Sequence, residues 1–588
     1  MSWAPNSDGA MAAPISSALE QLTRGWRGYV LIALIALCSG LMGAARVPVT
    51  DIDEARFAQA TRQMVETGDY VRIRLQDAER NRKPIGIHWM QSASIYLTEP
   101  FSHQLNQIWR YRLPSILGLM LSSIAVLWAG TALFNARVGL VSAALFAVGL
   151  LAGIEGMLAK TDSIMTGFTT LAMAALAQLR AADPGRPRML ALVFWAAVGC
   201  GALIKGPVTP LVAGLTLAVL AIWEHKAAWM RPLAWWPGPL LAAAIVAPWL
   251  IAIGVVTDGR FYTDLLANEL GPKIAGSDHA HGGVPGYYLL LLPFLIFPAS
   301  YALPSAARLG WTAIRAPRND EAQCAFRFLL AWALPTIAFF EILPAKLIHY
   351  TLPAYPAIAL LCGAGLFAAE EKRWRTTHPA GLVLFGVAGA VIIALMATVA
   401  TFMPGSLEAG ARRAIATGLI GAVALAGAIA ALIVWRRPAA RAGVLIACAL
   451  VFSFSLRERL VPEARGLFVS QEAVATLTRA RLFPRADEPF WVVGYSQPSL
   501  VFLTRTSIRF ASLEEAATLA HPGDGMMIEG RVLQEANAAL IAHGLVFEAM
   551  DAPARGMAIG RGERMALFVG RVRQAASAAG ADGQPPNP

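Results

Sequence analysis

The stretch Asp53-Glu54-Ala55-Arg56 sets two carboxylates and a guanidinium just after the first membrane-length apolar run of the chain. Carboxylates beside hydrocarbon are costly unless they face water, a cation or a substrate, so the placement points to a site at a membrane surface. On a helix entered from Thr50, Asp53 and Arg56 are three residues apart and share a face, where the guanidinium can orient the acid while its other oxygen points into a cavity. That suits a general base or a substrate anchor, and it equally suits a cap in which Asp51 or Asp53 accepts from helix N-terminal amides. Lys160-Thr161-Asp162 poses the same choice, since an isolated acid opening an apolar run is either an N-cap or a second site residue.

Crowding on one side of the membrane favours a site. The charge pattern assigns Asp53, Glu54, Lys83, His88, Glu155, Lys160, Asp162, Lys205, Glu269, Lys273, Glu341, Lys346 and His349 to a single face. Cations mixed with acids suggest a phosphate-bearing substrate, because lysine binds phosphate as a point charge and can stabilise charge developing on a phosphate leaving group. A lone lysine at a span end would simply snorkel to the headgroups, but Lys83, Lys160, Lys205 and Lys346 form a set. Asp278-His279-Ala280-His281-Gly282-Gly283 marks no third metal ligand and reads as a flexible loop closing over substrate; no metal site is assigned, and a divalent cation stays open. No serine-centred elbow or cysteine nucleophile is visible.

The elements that must position these residues are mostly membrane helices. The chain has 588 residues, 56% hydrophobic and 15% charged, with a mean hydropathy of +0.53, where a soluble domain has about 25% charged residues. Counting about twenty residues per span gives about thirteen apolar runs, among them Arg27 to Arg46, Tyr111 to Leu133, Val138 to Gly153, Ile164 to Leu179 and Tyr287 to Leu303. The first is read as an uncleaved anchor. Lys and Arg concentrate in alternate loops, which the positive-inside rule makes cytoplasmic, so the acidic site, the segment 47–110 and the C-terminal tail fall on the opposite, extracytoplasmic face. The net charge of +11 follows this bias without a basic-aromatic cluster, which excludes nucleic acid as a partner. Five isolated cysteines suggest neither a disulfide framework nor a thiolate metal site.

From Arg457 onward polar helix patterns alternate with short apolar runs, as in a soluble α/β domain. Strands are expected at Phe490 to Tyr495, Leu500 to Thr504, Gly525 to Glu529, Leu545 to Met550 and Met565 to Val572, with helices near Gln471 to Arg481, Leu513 to His521 and Val532 to Gly544. The expected organisation is a membrane domain over 1–456 including the loop 47–110, an α/β domain over 457–575, and a disordered tail over 576–588.

Several motifs together carry a resemblance: Asp53-Glu54-Ala55-Arg56-Phe57-Ala58; Gly68-Asp69-Tyr70 with Lys83-Pro84 and Trp89; Lys160-Thr161-Asp162; Lys205-Gly206-Pro207; Asn268-Glu269-Leu270-Gly271; and Lys346 through Tyr350 leading into Leu352-Pro353-Ala354-Tyr355-Pro356. With these the chain resembles the bacterial membrane glycosyltransferases of the GT-C fold, in the group of protein O-mannosyltransferases and the lipid A aminoarabinose transferase. The resemblance implies transfer of a sugar from a polyprenyl-phosphate donor to an envelope acceptor at the periplasmic face of the bacterial inner membrane. It implies that Asp53, with its neighbour Glu54, is the first-loop acid, acting as base or acceptor positioner, and that Asp162 is the second acid. Arg56, Lys83, Lys205 and Lys346 would hold the donor phosphate with Tyr350 nearby, and Lys160, Glu269, Lys273 and His349 would belong to the loops around the substrate. One departure is plain: Arg82 precedes Lys83 where the family often has an acid, and Ile85 replaces the second proline, which bears on acceptor choice. A lipid A-type glycolipid is the favoured acceptor and a protein hydroxyl the alternative. A flippase for a lipid-linked sugar is the rival class, but it predicts mid-span charges and internal repeats that the sequence lacks.

Overall fold

The computed structural model describes residues 21, 23–51, 53–80, 83–181, 185–270, 283–368, 377–485, 488–558 and 562–575; the side chains of 268–270 are outside this description. The first helix, α1 (Arg27–Leu41), leads into the loop helices α2 (Asp53–Thr67) and α3 (Gly86–Leu97), joined through a two-stranded hairpin of β1 (Arg74–Leu75) and β2 (Ala78–Glu79). The bundle continues as α4 (Trp109–Leu133), α5 (Ala136–Ala147), α6 (Leu150–Met157), α7 (Asp162–Leu179), α8 (Pro187–Lys205), α9 (Val208–Glu224) and α10 (Pro237–Val256). It closes with α11 (Tyr287–Leu295), α12 (Leu303–Arg315), α13 (Cys324–Ile342), α14 (Tyr355–Ala368), α15 (Thr377–Ala400), α16 (Leu407–Val434) and α17 (Pro438–Phe454).

Among the described residues, seven helices are long and apolar enough to cross a membrane, or up to nine if each of two bent pairs counts as one span; α1, α9 and α14 are shorter apolar helices. Apolar side chains such as Leu240, Ile251 and Val255 on α10 and Ile415, Leu419 and Val423 on α16 remain exposed, as lipid-facing positions must. The chain is a multi-pass membrane protein. Two of the thirteen expected runs are not straight spans. The run Val138 to Gly153 bends by 59° between α5 and α6, and the run Tyr287 to Leu303 turns by 114° between α11 and the helical segment Ala299–Arg315. Apolar length predicts a crossing but not its continuity: Gly149 and Pro298 sit at these breaks, and proline brings no backbone donor to continue a helix.

A close helix crossing lies under the polar face. A Cβ added to Gly118 of α4 would fall 2.4 Å from the backbone nitrogen of Ile164 in α7, so the two backbones touch there. Ser163 donates to the Ser115 carbonyl at 2.7 Å and Ser115 to the Lys160 carbonyl at 3.2 Å, tying the Lys160–Asp162 turn to α4. Gly118→Ala must push the helices apart and is expected to cost roughly 1–3 kcal/mol, read as a lowered unfolding temperature in detergent. An unchanged unfolding temperature would mean that the crossing yields without cost.

After α17 the chain forms a mixed six-stranded sheet of β3 (Phe490–Val493), β4 (Arg509–Ala511), β5 (Gly525–Glu529), β6 (Leu545–Ala549), β7 (Ala554–Ala558) and β8 (Glu563–Gln574). β3 pairs in parallel with β4 and β5, while the long β8 runs antiparallel to β5 on one side and to β6 and then β7 on the other. β3 is buried on both faces, with Phe490 and Val492 packing towards α18 (Val469–Arg479) and Trp491 and Val493 towards α20 (Leu513–Leu519) and α21 (Leu533–Ala542). The expected strand Leu500 to Thr504 is instead α19 (Pro498–Leu503). Pro498 in the first turn pre-sets a helical φ, and so short an apolar run has no periodicity to decide between helix and strand. β4 and β7 were not expected from the sequence pattern.

Candidate active site

Antiparallel α7 and α8 bring the start of one and the end of the other together, so Asp162 and Lys205 meet and form an ion pair. His349, in the connection between α13 and α14, places Nε2 3.7 Å from Asp162 Oδ1 and Nδ1 3.8 Å from Glu155 Oε1. Glu155, near the end of α6, is paired in turn with Lys160, whose Nζ lies 3.0 Å from Oε2. Tyr350 stands 5.6 Å from Lys205 Nζ at its ring centroid. Lys83, just ahead of α3, lays its ammonium 4.8 Å over the ring of Phe57 in α2. Asp53 opens α2 and completes the group.

Electrostatics link these side chains. Burial pushes the Asp53 carboxyl up, but Lys83, Lys160 and His349 outweigh it and hold the group below its usual range, against the opposing charge of Asp162. Lys83 is pushed down to about 8, first by burial and then by the nearby Lys205, with Asp53 and Asp162 only partly compensating and Arg80 adding further repulsion. Lys160 moves up because Glu155 and Asp162 outweigh its burial. His349 is held below its usual range by burial despite those two acids. Asp53, Glu155 and Asp162 thus face Lys83, Lys160 and Lys205, with two of the ammonium groups close enough to repel each other.

Glu54 is used differently from its neighbour. Its carboxylate is fully buried and accepts from Arg112 Nε at 2.8 Å and Nη2 at 2.9 Å, from the Ala159 amide at 2.8 Å, and from the Thr50 amide and hydroxyl at 2.9 and 3.0 Å. Burial raises its pKa, but Arg112 and these hydrogen bonds win and keep it ionised. Arg112 also donates to the carbonyls of Ala44, Val47 and Pro48. One ion pair therefore fixes the end of α1, the start of α2 and the turn leading to Lys160. The expected pairing of Asp53 with Arg56 is not made: Arg56 is half-buried and forms no ion pair among the described residues. Spacing of three on a helix brings side chains near each other, but Asp53 is held instead by the charges of Lys83, Lys160 and His349 from other elements.

The far side of α2 is gripped by the C-terminal domain. Arg62 Nη1 donates to the carbonyls of Phe502 at 2.7 Å and Thr504 at 3.2 Å, and Gln59 and Glu66 both engage the Thr506 hydroxyl at 2.8 Å. Phe502 packs edge-on to Tyr111 in a cluster with Ala55 and Ala58.

Of the other residues singled out in the sequence, Lys346 pairs with Glu341, which also receives the Gly286 and Tyr288 amides, so it faces the segment 283–288 rather than Asp53. The Glu269 side chain, Lys273, the Asp278–His281 loop and the tail 576–588 lie outside the described residues. Sequence reasoning missed Arg112, whose signal was a lone arginine at the start of an apolar run, and it named Glu155 only as part of the charged face. Among the described residues no three His, Cys, Asp or Glu side chains converge as a metal-ligand set.

A family model described as dolichyl-phosphate-mannose-protein mannosyltransferase matches residues 82–251, a stretch that carries Lys83, Lys160, Asp162 and Lys205. The crystal structure of ArnT from Cupriavidus metallidurans bound to undecaprenyl phosphate superposes with a TM-score of 0.73 over 94% of this chain and 99% of that one, at 19% identity. The chain has the ArnT fold. This is the GT-C architecture expected from the motifs, a helical membrane bundle with a C-terminal sheet domain. In sequence, the undecaprenyl phosphate-alpha-4-amino-4-deoxy-L-arabinose arabinosyl transferase of Pectobacterium atrosepticum is 28% identical over 355 residues, covering 58% of this chain and 60% of that protein. The protein of the same name from Pseudomonas aeruginosa is 30% identical over 318 residues, covering 53% and 55%. The sequence match thus spans about three fifths of the length of these curated relatives, while the ArnT fold extends over nearly the whole chain.

Proposed function

We propose that the chain is an inner-membrane glycosyltransferase that takes a sugar from an undecaprenyl-phosphate donor and passes it to an envelope acceptor, a lipid A-type glycolipid in first place, at the periplasmic face. The observation that carries this reading is the pair of ammonium groups, Lys83 and Lys205, near Asp53 and Asp162, where burial and then the charge of Lys205 depress Lys83 to about 8. Lys205 already pairs with Asp162, but Lys83 forms no ion pair among the described residues, and a lipid phosphate relieves the repulsion between the two. The substrate in the names of these relatives, an undecaprenyl phosphate-linked aminoarabinose, is a donor of this chemistry.

In the reaction the acceptor oxygen attacks the anomeric carbon of the sugar from the side opposite the phosphate. The bond from that carbon to the phosphate oxygen breaks, and the electron pair leaves on undecaprenyl phosphate, inverting the anomeric centre. Lys83 and Lys205 stabilise the charge growing on the leaving phosphate, and Tyr350 flanks it. Asp53, kept ionised by its cations, takes the proton of a hydroxyl acceptor or orients a phosphate acceptor. Asp162 and Glu155 hold the lysines in place through their ion pairs. Glu54 and Arg112 set the framework, and Lys346 closes the wall towards 283–288. The orientation rests on the opposite end of the bundle, where Arg180 and Arg327 share the buried Glu224 among arginine-rich loops, a positive side suited to the cytoplasm.

The test is mass spectrometry of lipid A and other envelope fractions from cells with and without the chain; loss of one glycosyl increment from lipid A supports the reading, and an unchanged inventory with donor stranded on one leaflet favours the flippase. A second consequence concerns pH. Lys83 binds phosphate only as the ammonium, so donor affinity should be full below about 8 and fall as pH rises through that value. Lys83→Arg, whose guanidinium does not deprotonate, should flatten the decline; the same alkaline loss in Lys83→Arg would assign it to another group.

A further inference from the structure

Three acids stand within four residues at the entry to α2, and two of them are accounted for: Asp53 by the charges of Lys83, Lys160 and His349, and Glu54 by Arg112. The third, Asp51, forms no ion pair among the described residues and is met by a hydroxyl of the C-terminal domain instead: Ser499, in α19, donates to its Oδ1. A serine hydroxyl has one proton, so the contact of 2.6 Å between Ser499 and Ser470 is donated by Ser470, and the contact of 2.6 Å between Ser470 and Tyr495 is donated by the phenol. The chain Tyr495–Ser470–Ser499 therefore runs in one direction and ends on the carboxylate, and all three of its side chains are buried. The sheet explains why they converge. β3 is flanked in parallel by β4 on one side and β5 on the other, and in such sheets the crevice outside the carboxyl end of the strand at that point is where a ligand sits. Tyr495 follows that end of β3 after Gly494, whose φ is +79° and where a Cβ would fall 2.7 Å from Val532 Cγ2 and 2.9 Å from Glu529 Cβ. Ser499 lies in the helix that comes next, and Ser470 comes from the start of α18. The group these hydroxyls hold is Asp51 of the membrane domain.

From this arrangement we infer that Ser499 is a positioning residue for sugar transfer: through Asp51 it fixes the backbone that enters α2, and with it the placement of Asp53, two residues on, against the sugar donor. The inference rests on the reading of Asp53 as the acid of the transfer site. Asp53 makes no hydrogen bond among the described residues and is held by the field of its cations, so its aim depends on the backbone to either side. Glu54 anchors that backbone to the membrane domain through Arg112 and the Ala159 amide, and Asp51 anchors it to the C-terminal domain. Further along α2, Arg62 is held by the Phe502 and Thr504 carbonyls, so one short segment of the C-terminal domain grips the helix at two points. A shift of about 1 Å at a reacting group costs on the order of 100-fold in rate, which is the leverage such a contact has.

The test uses full-length protein in lipid with undecaprenyl-phosphate-linked aminoarabinose and lipid A, and rates are expressed per folded molecule. Ser499→Ala should lower kcat roughly ten- to hundredfold and leave the donor KM within about twofold, because the lysines that meet the phosphate are untouched. Asp51→Ala should match it, and the double variant should be no slower than either single one, as two groups acting through one contact require. Asp51→Asn keeps an oxygen acceptor for Ser499 and should lose several-fold less than Asp51→Ala; equal losses would make Asp51 act by its charge and overturn the positioning role. If Ser499→Ala leaves too little folded protein, the comparison of Asp51→Ala with Asp51→Asn decides the same point. Wild-type kcat per folded molecule in Ser499→Ala, or losses that multiply in the double variant, would overturn the inference and leave the transfer reading intact. A wild-type chain that binds donor and transfers no sugar would remove the transfer reading and the inference with it.

Discussion

Asp53→Asn is expected to lower sugar transfer by about 10²–10⁴-fold while the protein still folds and still binds its donor at about pH 6. The folded framework does not depend on this carboxylate, because Glu54, its buried neighbour, makes the contacts that tie α2 to Arg112 and to the Ala159 amide. Donor binding is read at acid pH for a specific reason. Asp53 is one of the charges that keep Lys83 protonated, and without it the lysine, already at about 8, moves lower. Below that range the ammonium survives and binding is preserved, so the remaining defect belongs to the transfer step. In wild-type protein Asp53 sits below its ordinary carboxylate value, since Lys83, Lys160 and His349 together outweigh its burial. Activity should therefore show no acid limb from this residue near neutrality. Single-turnover transfer with saturating donor checks both points, and a variant retaining wild-type turnover would remove Asp53 from the chemistry.

Arg112→Met should be the most damaging change to stability, costing about 3–5 kcal/mol. Neither Arg112 nor Glu54 has an exposed side chain, and removing the guanidinium strands a buried carboxylate along with the carbonyls of Ala44, Val47 and Pro48. Glu54→Gln keeps the shape but weakens the charge-assisted bonds and should cost less. Replacing both partners by apolar side chains of similar volume should recover part of the loss, because the uncompensated charge is then gone. Thermal unfolding in detergent reads all three. A single-site Arg112 variant as stable as wild type would show that this pair carries little of the fold.

The membrane character, the polar face and the α/β tail were legible because they rest on composition, run length and periodicity, which act locally. Asp162, Lys205 and His349 were legible as candidates because charges beside apolar runs are expensive and need a reason. Their pairing was not, since it depends on α7 and α8 running antiparallel and on a connection arriving from α13. Arg56 misled because helical spacing shows what is near, not what competes; the charges of two lysines and a histidine from other elements act on Asp53 instead. Arg112 was hidden inside an apolar run, and Leu500 to Thr504 was too short for its period to be read. The breaks between α5 and α6 and between α11 and α12 were masked by continuous hydropathy.

The most direct test is transfer by the purified wild-type chain in lipid, with undecaprenyl-phosphate-linked aminoarabinose and lipid A as the two substrates and mass spectrometry of both products. The account predicts lipid A heavier by one aminoarabinose residue, with undecaprenyl phosphate released in equal amount and both formed about 10²–10⁴-fold more slowly by Asp53→Asn. Donor that stays intact beside a folded, donor-binding protein, with no sugar gained by lipid A or by any other envelope acceptor supplied, would contradict it.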